Sequence, residues 1–254
     1  MSAISQTTVL ANLTWPQAEE ALKHSPIGLL PVGAIEAHGP HLPLDTDIII
    51  AEATAHAAAS LLQRGGIPCV VLPTVSYSVS FVGTSFPGTS PVDALAFGGY
   101  LTSLLTHAAR QGYRAIICCN AHLEPAHVDE VQASCHRAEA ATGVPVRSPD
   151  QRRSPFSDLL SDEFRAGARH AGSYESSIVM AARPGTVSQD QIKSLDPVWI
   201  DLPARLRDGA RTFTEAGAAL GYFGDPAQAT VAEGRRMLDA LAEMVRRTVH
   251  EIDP

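Results

Sequence analysis

Three apolar runs bounded by turn residues constrain the fold of this chain more than any other feature. They cover residues 28–35, 67–72 and 114–119, a shorter candidate lies at 143–147, and helical patterns separate them. Strand-length apolar runs that alternate with helical patterns are typical of βαβ units. We therefore predict an α/β fold with a largely parallel sheet and helices on both of its faces.

The helical patterns carry start and stop signals. One helix is predicted from Asp47 to Gln63, before a glycine pair, and another near residues 14–23, with Thr14 as its cap. Further helices are expected at residues 92–111, 125–141 and 227–250, and polar loops near a site at 76–90 and 147–169. Since no linker interrupts the pattern, we predict one domain over residues 1–254.

Charge and hydropathy exclude two classes of partner. The net charge is −8, the pI is about 5.6 and the basic residues are scattered, which disfavours nucleic-acid binding. No apolar stretch reaches the roughly 18–20 residues of a membrane helix, and residues 1–7 lack the pattern of an export signal. The cysteines lie in apolar or helical runs without metal-site spacing: Cys69, Cys118, Cys119 and Cys135. We expect buried thiols and a cytoplasmic protein without nucleic-acid or membrane partners.

Metal-binding side chains follow the first apolar run. Glu36 and His38 are two residues apart, so an extended backbone would direct both to the same side. Asp47 begins the next helix, and the intervening loop can fold it back towards them. Ligands of open α/β sheets bind at this carboxyl edge. His41 and Asp45 are assigned supporting or turn roles.

A second set of such side chains follows residues 114–119. His122 and Glu124 repeat the first pattern in reversed order, after Asn120. With Glu36, His38 and Asp47 this makes five ligands, which suits two divalent ions sharing a carboxylate better than one zinc ion with an open position.

Simpler roles exist for each of these residues. Asp47 alone would suit a helix cap, Glu124 a dipole-complementing acid and Asn120 a turn. Their co-occurrence at strand ends favours the metal interpretation. A third set, His170 and Glu175, precedes an apolar helical run and gives a weaker pattern.

These residues resemble the creatininase (creatinine amidohydrolase) family. The matching motifs occur in family order from about residue 28 to 250: residues 30–44 with Asp45 and Asp47, Phe86-Pro-Gly-Thr89, Asn120-Ala-His122, His170-Ala-Gly172 with Glu175-Ser176, and Gly224-Asp-Pro226 with Ala229-Thr230. The resemblance implies a three-layer α/β/α sandwich with two divalent ions, Zn²⁺ or Mn²⁺, at the carboxyl edge of the sheet. His/Asp/Glu ligand sets also accept Fe²⁺. The resemblance further implies a homo-oligomer, expected to be a hexamer.

The resemblance also assigns roles. Glu36 and His122 would bind one ion and His38 and Glu124 the other, with Asp47 bridging. His170 and Glu175 match positions near substrate or metal, and Glu175 is the natural replacement if Glu124 is not a ligand.

The chain departs from the family pattern in two places. Many members have Asn-Gly-His-Gly-Gly-Asn where this chain has Asn120-Ala-His-Leu-Glu-Pro125, which is nearer to creatininase itself. Creatininase also uses tryptophans before its His-Ala-Gly motif, whereas residues 147–169 contain none, so creatinine is not the expected substrate. The arginines of this stretch, Arg152, Arg153 and Arg165, suit either a carboxylate or phosphate ligand or a solvated loop.

The predicted activity is metal-assisted hydrolysis of a C–N bond in a small amide or lactam. Water activated at the ions would attack the carbonyl, and Glu124, Glu175 or His170 would return the proton to the leaving nitrogen. The alternatives are a deformylase or peptidase of the same family, a metal-stabilised protein without turnover, and an isomerase of a small cyclic compound.

Overall fold

A computed structural model of the protein describes residues 7–24 and 26–252. Most of the segment on which the export-signal prediction depends, residues 1–6, lies outside the described residues. Among those that are described, none of the helices combines the length and the apolar character needed to cross a bilayer. The single domain over residues 1–254 stays a prediction.

The described chain alternates strands and helices. The strands are β1 (Thr8–Val9), β2 (Ile27–Val32), β3 (Cys69–Val71), β4 (Ala115–Asn120) and β5 (Val146–Arg147). The helices are α1 (Trp15–Leu22), α2 (Thr46–Arg64), α3 (Ala94–Ala109), α4 (Pro125–Thr142), α5 (Asp162–Arg165), α6 (Ser173–Ala182), α7 (Gln189–Lys193), α8 (Leu202–Arg207), α9 (Phe213–Ala216) and α10 (Val231–Ile252).

All strand pairs of the sheet are parallel, in the order β1-β3-β2-β4-β5. The four predicted strands overlap β2 to β5, so the parallel α/β prediction is confirmed. β1, which has two residues, was not predicted.

Alternate residues of the strands face two apolar layers. Leu30 and Ile116 pack in a cluster with α3 and α4, whereas Leu29 and Ile117 pack in a cluster with α2 and α10. Successive side chains of a strand point to opposite faces, so the apolar runs cover the sheet on both sides. The three-layer α/β/α arrangement is confirmed.

The central strands end level with each other. In the register of β2 and β4, Val32 lies opposite Asn120, and the Ala121 amide donates to the Val32 carbonyl at 3.0 Å. The segments after these strands therefore start side by side. This brings the two predicted sets of metal-binding residues to the same edge of the sheet.

The stretch between β5 and α10 differs most from the sequence-based expectation. Part of the predicted loop at residues 147–169 is α5, and α7, α8 and α9 have four to six residues each. Helices this short do not complete two turns, so they leave no repeated apolar face in the sequence.

Candidate metal centre

Glu36, His38 and Asp47 lie together at the carboxyl edge of β2, and their side chains are buried. Asp47 is in the first turn of α2, which approaches the end of β2 closely at Gly33. A Cβ atom at Gly33 would be 2.8 Å from the Asp47 carbonyl carbon, so only glycine permits this approach. The glycine directly after the strand therefore helps to bring Asp47 back to the site.

Two groups of potential ligand atoms share Asp47. The first combines Asp47 with Glu36 and His122: His122 Nδ1 is 2.9 Å from Asp47 Oδ2 and 3.4 Å from Glu36 Oε2. The second combines it with His38 and Glu175: His38 Nε2 is 3.3 Å from Asp47 Oδ1 and 3.7 Å from Glu175 Oε2. Each carboxylate oxygen of Asp47 therefore faces a different imidazole.

His170 lies beside these groups. Its Nδ1 is 3.7 Å from Glu36 Oε2, and with Glu36 and His38 it forms a third group of potential ligand atoms. Its ring stacks on Phe213, with ring centroids 4.0 Å apart. Burial holds the pKa of His170 well below its usual range, so the ring is neutral.

Backbone carbonyls orient all three imidazoles. His38 Nδ1 is 3.0 Å from the Glu36 carbonyl, His122 Nε2 is 2.9 Å from the Val79 carbonyl, and His170 Nε2 is 2.9 Å from the Ala37 carbonyl. A carbonyl can only accept, so in the neutral rings these nitrogens carry the hydrogen. The other nitrogen of each ring then directs its lone pair towards the carboxylates, as in metal-ligating histidines.

The lone pairs consequently face acceptor oxygens inside the protein. His38 Nε2 and Asp47 Oδ2 are buried without a hydrogen-bond partner among the described residues, although Asp47 Oδ2 is 2.9 Å from His122 Nδ1. Acceptors held this close repel each other unless a cation lies between them. The donor set therefore fits divalent ions.

The pKa values of His38 and His122 also show that the buried carboxylates favour a positive charge beside them. Burial alone would lower the pKa of His38, but the carboxylates around it, Asp47 first, outweigh burial and raise the pKa to about 10. The carboxylates of Glu36 and Asp47 likewise outweigh burial at His122 and raise its pKa to about 9. Burial raises the pKa of Glu175 to about 7.

Glu124 lies apart from the three groups. It precedes α4 and accepts a hydrogen bond from the Val82 amide through Oε2 at 2.9 Å. None of the close ligand groups among the described residues includes it, but its side chain lines the cavity that opens onto Glu36 and Asp47. The helix-start position agrees with the simpler reading of this residue.

The supporting residues lie around this centre. Asn120 Nδ2 donates to the His122 carbonyl at 2.8 Å and thus fixes the turn after β4. His41 Nε2 is 2.9 Å from the Ser176 hydroxyl, next to Glu175 in α6. Asp45 instead points outwards and pairs with Arg183 at 2.7 Å.

A cavity of about 490 Å³ leads to the centre. Its wall contains Leu202 and Leu206 of α8, Phe213 of α9 and a set of arginines, namely Arg152, Arg153, Arg169 and Arg207. Arg165 lies outside this lining and pairs with Asp162. The volume is within the range of pockets that hold small organic ligands.

The family model described as creatininase, creatinine amidohydrolase, matches residues 11–249. The chain belongs to the creatininase family. The mycofactocin precursor peptide peptidase of Mycolicibacterium smegmatis is 31% identical over 235 residues, which cover 87% of this chain and 85% of that protein. The creatinine amidohydrolase of Pseudomonas putida is 24% identical over 205 residues, which cover 76% of this chain and 79% of that protein.

Solved creatininases have the same fold. One creatininase has a TM-score of 0.74 at 22% identity, covering 98% of this chain and 100% of its own. A form designated creatininase Mn gives the same values, and a mutant creatininase of Zn-Zn type has a TM-score of 0.71 at 21% identity with the same coverage. The family resemblance inferred from the motifs is confirmed, and the protein is a metal-dependent amidohydrolase of the creatininase family.

Two parts of the cavity in this creatininase-family protein were not predicted from the sequence, namely Arg169 and the side chains of α8 and α9. Arg169 directly precedes His170, so its position beside a candidate residue was a usable signal. Arg207 and the apolar wall belong to α8 and α9, which have no sequence motif and whose place depends on the tertiary fold.

Proposed function

We propose that this protein hydrolyses the C–N bond of a small amide at a dinuclear metal centre. The observation that supports this most is Asp47, whose two buried oxygens each face a different imidazole at the base of a cavity. A carboxylate shared in this way suits a bridge between two ions.

In this proposal, Glu36 and His122 would hold one ion, His38 and Glu175 would hold the other, and Asp47 would contribute to both. Glu175 takes the place that the resemblance gave to Glu124, because its Oε2 is 3.7 Å from His38 Nε2 and Glu124 is in none of the close groups. The names of the solved relatives support Mn²⁺ or Zn²⁺, and Fe²⁺ has compatible ligand preferences.

Bound divalent ions would supply a nucleophile at neutral pH, by lowering the pKa of water, and would polarise the amide carbonyl. The chain's own residues complete the chemistry. Glu124 lines the cavity, and its Oε1 has no hydrogen-bond partner among the described residues, so we infer that it carries the proton to the leaving nitrogen. His170 is kept neutral by burial, its Nε2–H donates to the Ala37 carbonyl, and Phe213 stacks on its ring.

A peptidase is the second candidate. It is favoured by the relative from Mycolicibacterium smegmatis, which is a precursor peptide peptidase and 31% identical to this chain. The 490 Å³ cavity has room for more than a single small ring. The same ligand groups would serve either substrate, since both reactions attack an amide carbonyl.

Chelation combined with a substrate panel tests the proposal. Removal of ions should abolish turnover of a panel of lactams, formamides and short peptides, and Mn²⁺ or Zn²⁺ should restore it. Asp47→Asn should lose activity under all conditions, whereas Asp45→Asn, at a neighbouring residue that points outwards, should stay active. Full activity of the metal-free protein would refute the dinuclear mechanism, and the panel identifies the bond that is cleaved.

We further propose that the protein is a cytoplasmic homo-oligomer, expected to be a hexamer. The thiols of Cys69, Cys118, Cys119 and Cys135 are free and buried, which agrees with a reducing compartment. Leu95 and Tyr100 on α3 are 90% and 55% exposed, which suits a contact between subunits. Light scattering of the purified protein would give the number of subunits.

A further inference from the structure

The cavity that contains the candidate ligands is also lined by four arginines, Arg152, Arg153, Arg169 and Arg207. Guanidinium groups stay positively charged and hold carboxylates or phosphates through paired N–H donors. Only a guanidinium group without an anionic partner in the protein keeps its full charge for a ligand.

Arg152 and Arg153 both form ion pairs with Asp150. Arg152 donates to both of its oxygens, through Nε at 2.9 Å and a terminal nitrogen at 3.0 Å, and Arg153 Nε is 3.3 Å from Oδ2. The side chain of Arg153 is 80% exposed to solvent. These two arginines are therefore tied within their own loop, and together they keep more positive charge than Asp150 neutralises.

Arg169 and Arg207 have no ion-pair partner within 4.0 Å among residues 7–24 and 26–252. Arg169 donates through Nε to the Phe164 carbonyl at 3.0 Å, and its guanidinium carbon lies 4.9 Å from the centre of the Phe164 ring. Its position is thus fixed while its terminal nitrogens keep their donors. Arg207 is the last residue of α8 and is exposed at the cavity.

The charges around Arg169 are only partly balanced. Burial lowers its pKa first, followed by the positive charge of Arg152 and, to a smaller extent, that of Arg207, while Asp201 and Asp150 act in the opposite direction. Bound divalent ions would offset the carboxylates at the base of the cavity. Among the described residues, the four arginines on this side of the cavity then carry more charge than Asp150 and Asp201 neutralise.

Apolar side chains adjoin these arginines. Leu202 and Leu206 are on α8, the helix that ends at Arg207, and Phe213 stacks on His170. A ligand that reaches the metal centre therefore passes an apolar surface and two guanidinium groups that form no ion pair with the described part of the chain.

We propose that Arg169 and Arg207 form an anion subsite, which binds a carboxylate or phosphate group carried by the amide substrate while Leu202, Leu206 and Phe213 contact its apolar part. The inference rests on the proposed amide hydrolysis and specifies its substrate class. An acidic amide would gain charge-assisted hydrogen bonds that a neutral one lacks.

A matched series of substrates tests this subsite. One amide is prepared with a carboxamide, a carboxylate or a phosphate at the same distance from the scissile bond. The holoenzyme should show a kcat/KM about 10 to 100 times higher for an anionic member than for the carboxamide, mainly through KM, as expected for one or two charge-assisted hydrogen bonds. The carboxylate and phosphate arms identify which anion the subsite takes.

Substitutions of single arginines show which of them cause the preference for anionic substrates. Arg169→Gln and Arg207→Gln should each reduce the ratio of anionic to neutral kcat/KM at least fivefold, whereas Arg165→Gln, outside the lining, should leave it unchanged. Equal kcat/KM for all members of the series with the wild-type holoenzyme would overturn the subsite and leave amide hydrolysis intact.

Calorimetry gives a readout that does not need turnover. Inorganic phosphate and a small carboxylate are titrated into the wild-type holoenzyme and into the double variant Arg169→Gln/Arg207→Gln. Since any binding to the ions is common to both proteins, a weaker affinity of the double variant measures the arginines. Equal affinities of the two proteins would overturn the subsite, whether or not any of the amides is hydrolysed. Failure to hydrolyse any amide would separately refute the proposed function.

Discussion

Asp47 connects the two halves of the candidate centre at the scale of a single residue. Its two oxygens lie near imidazoles that follow different strands, His38 after β2 and His122 after β4. Both imidazoles are fixed by carbonyl acceptors, so neither can turn away from the carboxylate. A change at Asp47 therefore affects both proposed ion positions together.

Substitutions of Glu175 and Glu124 should have different effects on metal content and turnover. Glu175→Gln should leave about one ion per subunit, because a proposed ligand of the second ion loses its charge. Glu124→Gln should keep both ions and lower kcat by about 10²- to 10⁴-fold, the usual effect of removing a proton-transfer group. Metal analysis of the two variants, with steady-state kinetics, compares these outcomes. Loss of an ion from Glu124→Gln with full retention in Glu175→Gln would support the original assignment of Glu124 as ligand.

The sequence allowed most of this residue set to be proposed. Glu36, His38 and His122 follow apolar runs whose strands were predicted to be parallel, so their convergence could be expected. The choice between Glu124 and Glu175 could not, since it depends on side-chain direction. Glu124 turns to the Val82 amide, and the loop containing Val82 is far from it in sequence.

Among the contacts between helices, the one between α6 and α10 bears most directly on the candidate centre. α6 contains Glu175, and α10 crosses it at Gly234, where a Cβ atom would be 1.8 Å from the Ser177 carbonyl oxygen. Such a distance requires one helix to move. The buried glycine thus permits the approach of α10 to the helix that carries a proposed ligand.

Gly234→Ala should therefore destabilise the protein by about 1–3 kcal/mol and weaken metal retention through Glu175. Gly99→Ala is the matched control: this glycine is also inside a helix, α3, but a Cβ atom there would have no neighbour within 4 Å. It should stabilise the protein by up to about 1 kcal/mol. Denaturant unfolding of the two variants measures the difference, and equal stabilities would argue against the close packing.

Long elements were predictable from the sequence and short ones were not. α2 extends one residue beyond its predicted range at each end, and α4 begins as predicted and ends one residue later, because each begins and ends at clear signals. α8 and α9 were missed, although they supply much of the cavity wall. Their conformation is set by contacts with the rest of the molecule, such as the packing of Phe213 on Phe223.

At the scale of the whole molecule, the candidate centre joins parts that are distant in the chain. The proposed ligands come from the segments after β2 and β4 and from the first turns of α2 and α6. Ions bound there would cross-link both central strands to two helices of one layer. Without ions, the charge of the buried carboxylates is offset by protons on His38 and His122, whose pKa values the carboxylates raise.

Ion removal should therefore lower the stability of the entire fold. If the ions are present at about 100 times their dissociation constants, each adds about 2.7 kcal/mol, and chelation of both should lower Tm by roughly 10–20 °C. Mn²⁺ or Zn²⁺ should restore Tm in the wild type and in Asp45→Asn but not in Asp47→Asn. Calorimetric scans with and without chelator measure this, and an identical Tm in both conditions would contradict ion binding at the buried groups.

Different segments of the chain supply the support of the metal centre and much of the cavity wall, and this separation is useful for redesign of the protein. The groups that hold His122, Glu36 and Glu124 in place, namely the Val79 carbonyl, the Ser80 hydroxyl and the Val82 amide, belong to one short segment. The arginines of the wall and many of its apolar side chains come instead from residues 152–169 and 202–213. Mutant libraries confined to Arg152, Arg153, Leu206 and Arg207 would sample new substrate ranges while the contacts of the reactive centre stay in place. Libraries that include residues 79–82 would mostly yield inactive protein.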